Sequence, residues 1–333
     1  MMLEQRTILI SGGTGFTGSF LAKRMLASGH RVRLLDNKEG AFLGELAALG
    51  AEITLGSVTD QDLVQQLTDG TDVVFHLAAA FRQVNLPRPV YWNVNVEGTR
   101  NLLKAAETAG VSKFVYCSTC GVHGNIKQPP ANEASPIEPA DYYQYTKYEG
   151  EQVAKEFMAR GLDITILRPA AIYGPGDPER WLMLFRYAQN SRFLMFGNGE
   201  TTYHPLYVEN LVDAFELAMT KQAAKGQTYL IADENYYTLN NLVKMIGVVL
   251  DLDVNIIHLP FRPLWLAAYG CELIYKPLKS DPPLFRRRVD WFRQARAFDI
   301  SKAKQELGYQ PKVDLLTGLT ETARWYREQS LIV

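Results

Sequence analysis

The sequence predicts an α/β protein with a doubly wound parallel sheet, followed by a smaller, mixed C-terminal lobe. Short apolar segments alternate with longer helix-like segments through the first half of the 333 residues, and the alternation becomes irregular after Pro169. Strands separated by helices pair in parallel through right-handed crossovers, so helices cover both faces of such a sheet. We therefore assign residues 1–169 to the sheet domain and residues 170–333 to a substrate-binding lobe, with later strands as candidates to join the sheet.

The predicted strands of the first half are short and rich in Val, Ile, Leu and Phe, as expected of strands buried on both faces. These strands span residues 7–11, 31–36, 52–56, 73–76, 113–118 and 163–169. The helices predicted between them span residues 15–28, 60–68, 90–109 and 142–160. In the second half, the pattern predicts helices at 208–220, 240–250, 263–279 and 315–327, and strands at 227–232 and 254–258.

Composition and charge exclude several classes of protein. The 35 basic and 36 acidic residues leave a net charge of −1, so no overall charge attracts the chain to nucleic acid. The three cysteines are too few for a disulfide framework, which fits a reducing cytoplasm. No apolar run reaches the ~20 residues of a membrane span, and peripheral membrane contact is not expected. The five histidines show no metal-ligand spacing, so no metal site is expected.

The first predicted strand leads directly into a glycine-rich turn, Ser-Gly-Gly-Thr-Gly-Phe-Thr-Gly, at residues 11–18. A dinucleotide requires a tight turn, a backbone that its pyrophosphate can approach, and a helix packed close to the strand; glycine meets all three demands. The following helix would direct its free N–H groups at the phosphates. This context predicts a Rossmann-type NAD(P) site, whose first cofactor-binding residues are Gly12, Gly15, Phe16, Thr17 and Gly18.

An acidic residue, Asp36, ends the second predicted strand. Its carboxylate can accept hydrogen bonds from the adenosine ribose hydroxyls and would repel a 2′-phosphate. The expected cofactor is therefore NAD, with NADP disfavoured, although Lys38 lies nearby and would weaken this preference. The alternative interpretation of Asp36 is an ordinary solvated loop carboxylate.

Tyr143 and Lys147 are four residues apart, so they share one face of the predicted helix at 142–160. A free tyrosine has a pKa near ~10, and a neighbouring ammonium lowers that pKa toward neutrality. The phenol can then take a proton from a substrate hydroxyl while hydride leaves for the cofactor. Tyr-x-x-x-Lys is common by chance, but Ser118 and Thr119 end a buried strand at the edge where doubly wound sheets bind ligands.

Several further motifs make the chain resemble the extended short-chain dehydrogenase/reductase family, also described as NAD-dependent epimerases/dehydratases. These motifs include the glycine turn, His76-Leu77-Ala78-Ala79, Asn95-Val96-Glu97-Gly98-Thr99, Tyr143 with Lys147, Leu167-Arg168-Pro169, Ile172-Tyr173-Gly174-Pro175-Gly176, and Phe298-Asp299-Ile300-Ser301-Lys302-Ala303. The resemblance covers nearly the whole chain. It implies an NAD-dependent enzyme and a homodimer paired through the helices near 90–109 and 142–160.

The resemblance also assigns roles to individual residues by position. Thr119 matches the family's catalytic Ser/Thr and joins Tyr143 and Lys147 as the predicted catalytic set, with Ser118 as the fallback. The resemblance adds Tyr143, Lys147, Ala78, Ala79 and Pro169 to the predicted cofactor-binding residues.

The third strand shows one departure from the family pattern. Many relatives have Gly-Asp after this strand, and the Asp contacts adenine. Here Gly56 is followed by Ser57 and Val58, which we keep as the predicted contacts at this position.

The substrate is less clearly marked. Nucleotide-sugar members of the family usually place an Arg where this chain has Tyr203, and that Arg binds the substrate diphosphate. The apolar segment 264–269 looks more like the 3β-hydroxysteroid dehydrogenase branch, and we expect it to face the nicotinamide, with plain lobe core as the alternative. The predicted substrate residues are Ser118, Thr119 and Tyr203.

An apolar, 3β-hydroxysteroid-like hydroxy or keto compound is therefore the favoured small-molecule substrate. The first alternative is a nucleotide-sugar 4-epimerase or dehydratase with tightly bound NAD, in which Arg180, Arg186 and Arg192 could serve a diphosphate. The second is a non-catalytic dinucleotide sensor, although proteins of that kind lose the tyrosine or lysine that this chain keeps.

Overall fold

The computed structural model describes residues 5–81, 86–177, 180–278 and 282–333. Its strands are, in chain order, β1 (Thr7–Ser11), β2 (Arg31–Asp36), β3 (Glu52–Leu55), β4 (Val73–His76), β5 (Lys113–Cys117), β6 (Ile164–Pro169), β7 (Ala171–Tyr173), β8 (Arg192–Phe196), β9 (Thr202–Tyr203), β10 (Pro205–Tyr207), β11 (Thr228–Ile231), β12 (Tyr237–Thr238) and β13 (Asn255–Leu259). Seven of them form a parallel sheet in the order β11-β6-β5-β4-β1-β2-β3, which confirms the predicted fold class.

The helices are, in chain order, α1 (Phe16–Ala27), α2 (Leu43–Ala48), α3 (Gln61–Thr68), α4 (Arg88–Trp92), α5 (Gly98–Ala109), α6 (Tyr142–Ala159), α7 (Arg180–Ala188), α8 (Val208–Thr220), α9 (Leu239–Leu250), α10 (Phe261–Leu278), α11 (Arg286–Val289) and α12 (Leu315–Glu328). The predicted helix at 90–109 is interrupted by a π-helical turn at Asn93–Glu97. The sequence patterns did not predict α2, α7 or α11, which are short and lie beside Gly- and Pro-rich segments.

Local sequence explains several helix boundaries. The carboxylates of Asp60, Asp141 and Asp314 accept hydrogen bonds from backbone N–H groups in the first turns of α3, α6 and α12. Gly110 ends α5 in the left-handed conformation with φ 69°, which a residue with a side chain rarely adopts.

Apolar cores cover both faces of the sheet. In β1, Ile8 and Ile10 pack on the face covered by α1 and α8, whereas Leu9 packs on the face covered by α5 and α6. This alternation follows from the two-residue repeat of a strand. The cores hold the sheet rigid, so that the loops at its carboxyl edge can carry the site.

The second half of the chain contributes to both parts of the molecule. Strand β11 pairs with β6, so the strand predicted at 227–232 joins the main sheet as an added edge. In contrast, β13 pairs with β8, and among the described residues the two form a separate two-stranded sheet rather than an extension of the main one. A separate core gathers α7, α9 and α12 into the smaller lobe.

The order of strands places the site. Strand β1 lies between β2 and β4. The sheet therefore extends in one direction from β1 through β2 and β3 and in the other direction from β4 onward, so the strand order reverses beside β1. Ligands of doubly wound sheets bind in the crevice that opens at this point, beyond the carboxyl ends of the strands.

Candidate active site

The glycine turn is packed too closely for side chains. A Cβ built on Gly12, which has φ +73°, would lie 2.7 Å from the backbone nitrogen of Ala78, and one on Gly18 would lie 2.0 Å from the carbonyl oxygen of Gly12. At Gly15 the nearest atom to such a Cβ is 3.3 Å away, so the outer side of the turn is more open. The turn therefore allows α1 to start directly beside β1 and leaves a backbone surface that a pyrophosphate can approach.

Asp36 supports this turn directly. Its Oδ2 accepts hydrogen bonds from the backbone N–H groups of Thr14 and Gly15, at 3.1 and 3.2 Å, and its Oδ1 accepts one from Asn37. The side chain is 9% exposed, so the alternative of a freely solvated loop carboxylate does not describe it. Asp36 therefore connects the end of β2 to the glycine turn.

The loop after β4 carries Ala78 and Ala79, both partly exposed at the crevice. This loop is held by the buried amide of Asn95, which accepts a hydrogen bond from the N–H of Ala80 at 2.8 Å and donates one to its carbonyl at 3.2 Å. The same amide donates to the hydroxyl of Thr146 at 2.9 Å. Asn95 thus joins the predicted cofactor loop to the helix that carries the predicted catalytic residues.

His76 lies beneath this loop in a buried chain of hydrogen bonds. Its Nδ1 is 2.6 Å from the Ser11 hydroxyl and its Nε2 is 2.9 Å from the Thr99 hydroxyl. Burial, with the nearby charge of Lys147, lowers the pKa of His76 well below its usual value, so the ring is neutral. A neutral imidazole can donate at one nitrogen and accept at the other, which makes His76 a structural link and not a base.

The two hydroxyl residues after β5 are placed differently. Thr119 is partly exposed and begins a short 3₁₀ turn, where its Oγ1 accepts the N–H of Gly121 at 3.0 Å. Ser118 is buried, and its hydroxyl donates to Oε1 of Glu151 at 2.5 Å. Ser118 is therefore tied into the protein interior, and Thr119 is the hydroxyl that remains available at the crevice.

Tyr143 and Lys147 lie one turn apart on α6, as predicted. Tyr143 is 7% exposed, and the ring of Phe81 packs edge-on against its ring with centroids 5.2 Å apart. The ammonium of Lys147 lies 4.2 Å from the centre of the Tyr116 ring, on β5. A Cβ at Gly150 would lie 2.3 Å from the Tyr116 hydroxyl, so glycine at this position lets α6 approach the sheet closely.

Lys147 is unusual because it is almost completely buried, with 1% of its surface exposed. Burial lowers its pKa to about 8, although Cys117 and Glu151 oppose that shift. The group is therefore still largely an ammonium at neutral pH. A cation with few water neighbours acts more strongly on nearby groups than an exposed one, because the local dielectric constant is low.

A buried ion pair lies one turn beyond Lys147. Glu151 on α6 receives two hydrogen bonds from Arg168 on β6, at 2.9 and 2.6 Å, in addition to the one from Ser118. Arg168 also contacts His123 of the 3₁₀ turn, at 3.1 Å. This bidentate pair joins α6, β5 and β6 beneath the predicted catalytic residues. Sequence reasoning missed it, although an Arg inside the apolar strand at 163–169 was a signal of a buried partner.

The remaining predicted cofactor residues lie around the same crevice. Ser57 is partly exposed after β3, while Val58 is buried and packs against Gly98. Phe16 turns its ring toward Phe20 and the smaller lobe, so only its backbone belongs to the glycine turn. Pro169 is buried at the end of β6.

Two predicted substrate features lie elsewhere. Tyr203 has no exposed surface and packs between the indoles of Trp181 and Trp291 in the core of the smaller lobe, so it does not face an open crevice. The segment 264–269 was expected to line a pocket that faces the nicotinamide. Leu266 in this segment is instead 62% exposed to solvent. The side chain of Arg180 lies outside the described residues.

Comparison with known proteins places this geometry in a family. The model of the NAD dependent epimerase/dehydratase family matches residues 8–232. The chain belongs to this family. It is therefore an NAD-dependent enzyme, which removes the alternative of a non-catalytic sensor.

Relatives of this epimerase/dehydratase family member differ in substrate. It is 31% identical to a decarboxylating sterol-4-alpha-carboxylate 3-dehydrogenase of Candida albicans, over 97% of this chain and 98% of that protein. It is 28% identical to an Escherichia coli O157:H7 4-epimerase of N-acetyl-alpha-D-glucosaminyl-diphospho-ditrans,octacis-undecaprenol, over 96% and 94%. It is also similar to the structure of a Thermotoga maritima UDP-glucose 4-epimerase solved with UDP-glucose, with a TM-score of 0.80, 27% identity, and coverage of 97% and 99%.

Proposed function

We propose that this enzyme oxidises or reduces a carbinol or ketone carbon of an apolar substrate, with Tyr143 as general acid–base. The observation that carries the proposal is the pair formed by Tyr143 and the buried ammonium of Lys147 on α6, at the crevice that the glycine turn also borders. Bound NAD would accept or return the hydride. The residues of the chain supply the rest of the chemistry.

The proposed proton transfer follows from these positions. The phenol oxygen of Tyr143 takes the proton of the substrate hydroxyl in oxidation and returns it to the alkoxide in reduction. The ammonium of Lys147 stabilises the phenolate form by its charge. The hydroxyl of Thr119 holds the substrate oxygen, while Asn95 and Glu151 position the loops and the helix that carry these groups.

The preference for an apolar substrate rests on the surroundings of Tyr143. Phe81 packs edge-on against its ring and is still 46% exposed, so an exposed apolar surface lies beside Tyr143. Tyr203 occupies the position of the expected diphosphate-binding Arg and is buried, so it offers no charge to a diphosphate. A hydrophobic hydroxy or keto compound would cover Phe81 and gain from its burial.

A ligand panel tests the substrate class. With NAD present, we expect a steroid-like or long-chain alcohol to raise the melting temperature and to increase the absorbance of NADH. With NADH present, the corresponding ketone is expected to decrease that absorbance. A UDP- or dTDP-sugar is expected to do neither. Stabilisation and turnover with the sugar nucleotides alone would contradict this proposal and favour the 4-epimerase or dehydratase alternative, in which Arg186 and Arg192 would be re-examined as diphosphate contacts.

Cofactor preference is expected to depend on Asp36. We expect the protein to bind NAD more tightly than NADP, and Asp36→Ala to reduce the ratio of the two affinities by about tenfold, because a charge-assisted hydrogen bond and the repulsion of the 2′-phosphate are both lost. Fluorescence titration with both cofactors measures the ratio. Asp69→Ala, which removes an exposed carboxylate elsewhere, is the control; a wild-type preference for NADP would contradict the assignment.

The homodimer implied by the family resemblance stays a prediction, with α5 and α6 as the expected contact.

A further inference from the structure

Helix α10 presents an apolar stripe to solvent. Leu266, Tyr269, Leu273 and Ile274 are 62%, 41%, 53% and 64% exposed. Their spacing of three, four and one residues places them on one face of the helix, over a length of about 12 Å. Isolated exposed apolar residues are ordinary, but four on one helical face form a continuous surface that water covers at a cost.

The opposite side of α10 is already occupied. Ala268 is fully buried, and Glu272 forms an ion pair with Arg286 of α11, whose Nε and Nη2 lie 2.8 and 2.7 Å from Oε2 of the carboxylate. The guanidinium of Arg286 also lies over the stacked rings of Trp265 and Tyr269. The helix is therefore anchored to its own lobe by one face, and Leu266, Leu273 and Ile274 remain exposed on the other, with Tyr269 at the boundary between the two.

The charge of this region differs from that of the whole chain. Residues 261–293 contain seven Lys or Arg and three Asp or Glu, although the whole chain has a net charge of −1. Arg262, one turn before Leu266, is exposed. Arg293 lies over the ring of Phe261 with its side chain 54% exposed, and it also pairs with Asp290 at 2.7 Å. An apolar helical face with surrounding basic residues matches the surface of an anionic phospholipid bilayer.

We propose that α10 docks this enzyme on an anionic membrane surface, with the stripe of Leu266, Tyr269, Leu273 and Ile274 inserted at the level of the lipid headgroups. The helix would lie in the plane of the membrane. Among the described residues no helix is long and apolar enough to cross a membrane, so the proposed contact is peripheral. It replaces the expectation from composition that the chain makes no membrane contact, because the net charge of −1 concealed a basic region beside an apolar face.

Vesicle sedimentation tests the proposal with the full chain. The wild type is expected to sediment with vesicles of three parts phosphatidylcholine to one part phosphatidylglycerol, and less with phosphatidylcholine alone or in high salt. The double variant Leu273→Gln, Ile274→Gln should reduce the bound fraction about tenfold, because it removes about half of the inserted apolar surface. The matched control, Val248→Gln with Leu316→Gln, changes two exposed apolar residues on α9 and α12 and should bind as the wild type does.

Cofactor titration and light scattering separate the other outcomes. Unchanged NAD affinity in both variants shows that they are folded. Failure of the wild type to sediment, equal sedimentation of the double variant, or equal binding to neutral vesicles would overturn the proposal. A fall in mass from dimer to monomer in the double variant, without vesicle binding by the wild type, would show that a second copy covers the stripe.

Discussion

Tyr143→Phe is expected to reduce turnover by about 10²–10⁴-fold while NAD affinity remains within error of the wild type, since this is the usual contribution of one general acid–base. The substitution removes a single oxygen atom and keeps the ring that packs against Phe81. The glycine turn and Asp36 lie in other elements and are untouched. Steady-state kinetics with a substrate from the panel, together with cofactor titration, measures both effects.

Tyr145→Phe is the matched control for this experiment. Tyr145 lies two residues later on α6 and is 41% exposed, so its hydroxyl points away from the buried face that holds Lys147. We expect Tyr145→Phe to retain nearly full activity. Near-normal turnover in Tyr143→Phe would refute the proposed mechanism and make Tyr142 or Tyr145 the next candidate.

Lys147→Met is expected to abolish most activity and, at the same time, to stabilise the protein without cofactor. Burial lowers the pKa of Lys147 to about 8 from an ordinary 10.5, so the buried ammonium destabilises the folded state at neutral pH. One unit of pKa corresponds to about 1.4 kcal/mol, so removing the charge is expected to raise the free energy of unfolding by about 1 to 3 kcal/mol. Methionine is unbranched and similar in length to lysine, so no large cavity forms, although the contact of the ammonium with the Tyr116 ring is lost.

The stability that Lys147→Met gains over the wild type should decrease as the pH rises. Between about pH 8 and 10.5 the unfolded state binds a proton that the folded state has lost, so the stability of the wild type rises with pH in that range. Below about pH 8 both states are protonated and the full cost of the buried charge is present. The advantage of Lys147→Met is therefore largest below pH 8 and disappears as the pH approaches 10.5.

Urea unfolding of the protein without NAD, at pH 7 and at pH 10, measures this difference. Lys155→Met is the control, because Lys155 is exposed on the same helix and pays no burial cost. A Lys147→Met variant that is less stable than the wild type at pH 7 would show that the ammonium is held by contacts stronger than its desolvation.

Local patterns predicted the framework of this protein with little error. The six predicted strands of the first half correspond to β1–β6, and the eight predicted helices begin or end within a few residues of observed helices. The strands are short apolar runs buried on both faces, and most of the helices are longer and bury one face, so the pattern of apolar residues determines their conformation. The six-residue α2 escaped prediction because so few residues carry a periodic signal, and α7 escaped prediction because it directly follows the Gly- and Pro-rich segment that ends at residue 178.

Candidate residues were predictable where a short motif carries the geometry. Four residues of helix bring Tyr143 and Lys147 to one face, and the glycine spacing of Gly12, Gly15 and Gly18 allows close backbone packing wherever a helix follows a strand. In the structure, Tyr203 is buried in the core of the smaller lobe, and the Ser118 hydroxyl donates a hydrogen bond to Glu151. Neither position follows from spacing along the chain. Both depend on residues that are distant in sequence.

The sequence by itself determined the family and the cofactor and predicted the acid–base pair, because each depends on residues a few positions apart whose spacing is set by a strand, a turn or a helix. Only the tertiary structure decided which hydroxyl faces the crevice, how far Lys147 is buried, and which face of α10 is left uncovered. These properties depend on contacts between distant elements, such as the ion pair of Glu151 and Arg168 across α6 and β6. A pKa, an exposed fraction and a docking surface are set by what surrounds a residue in space.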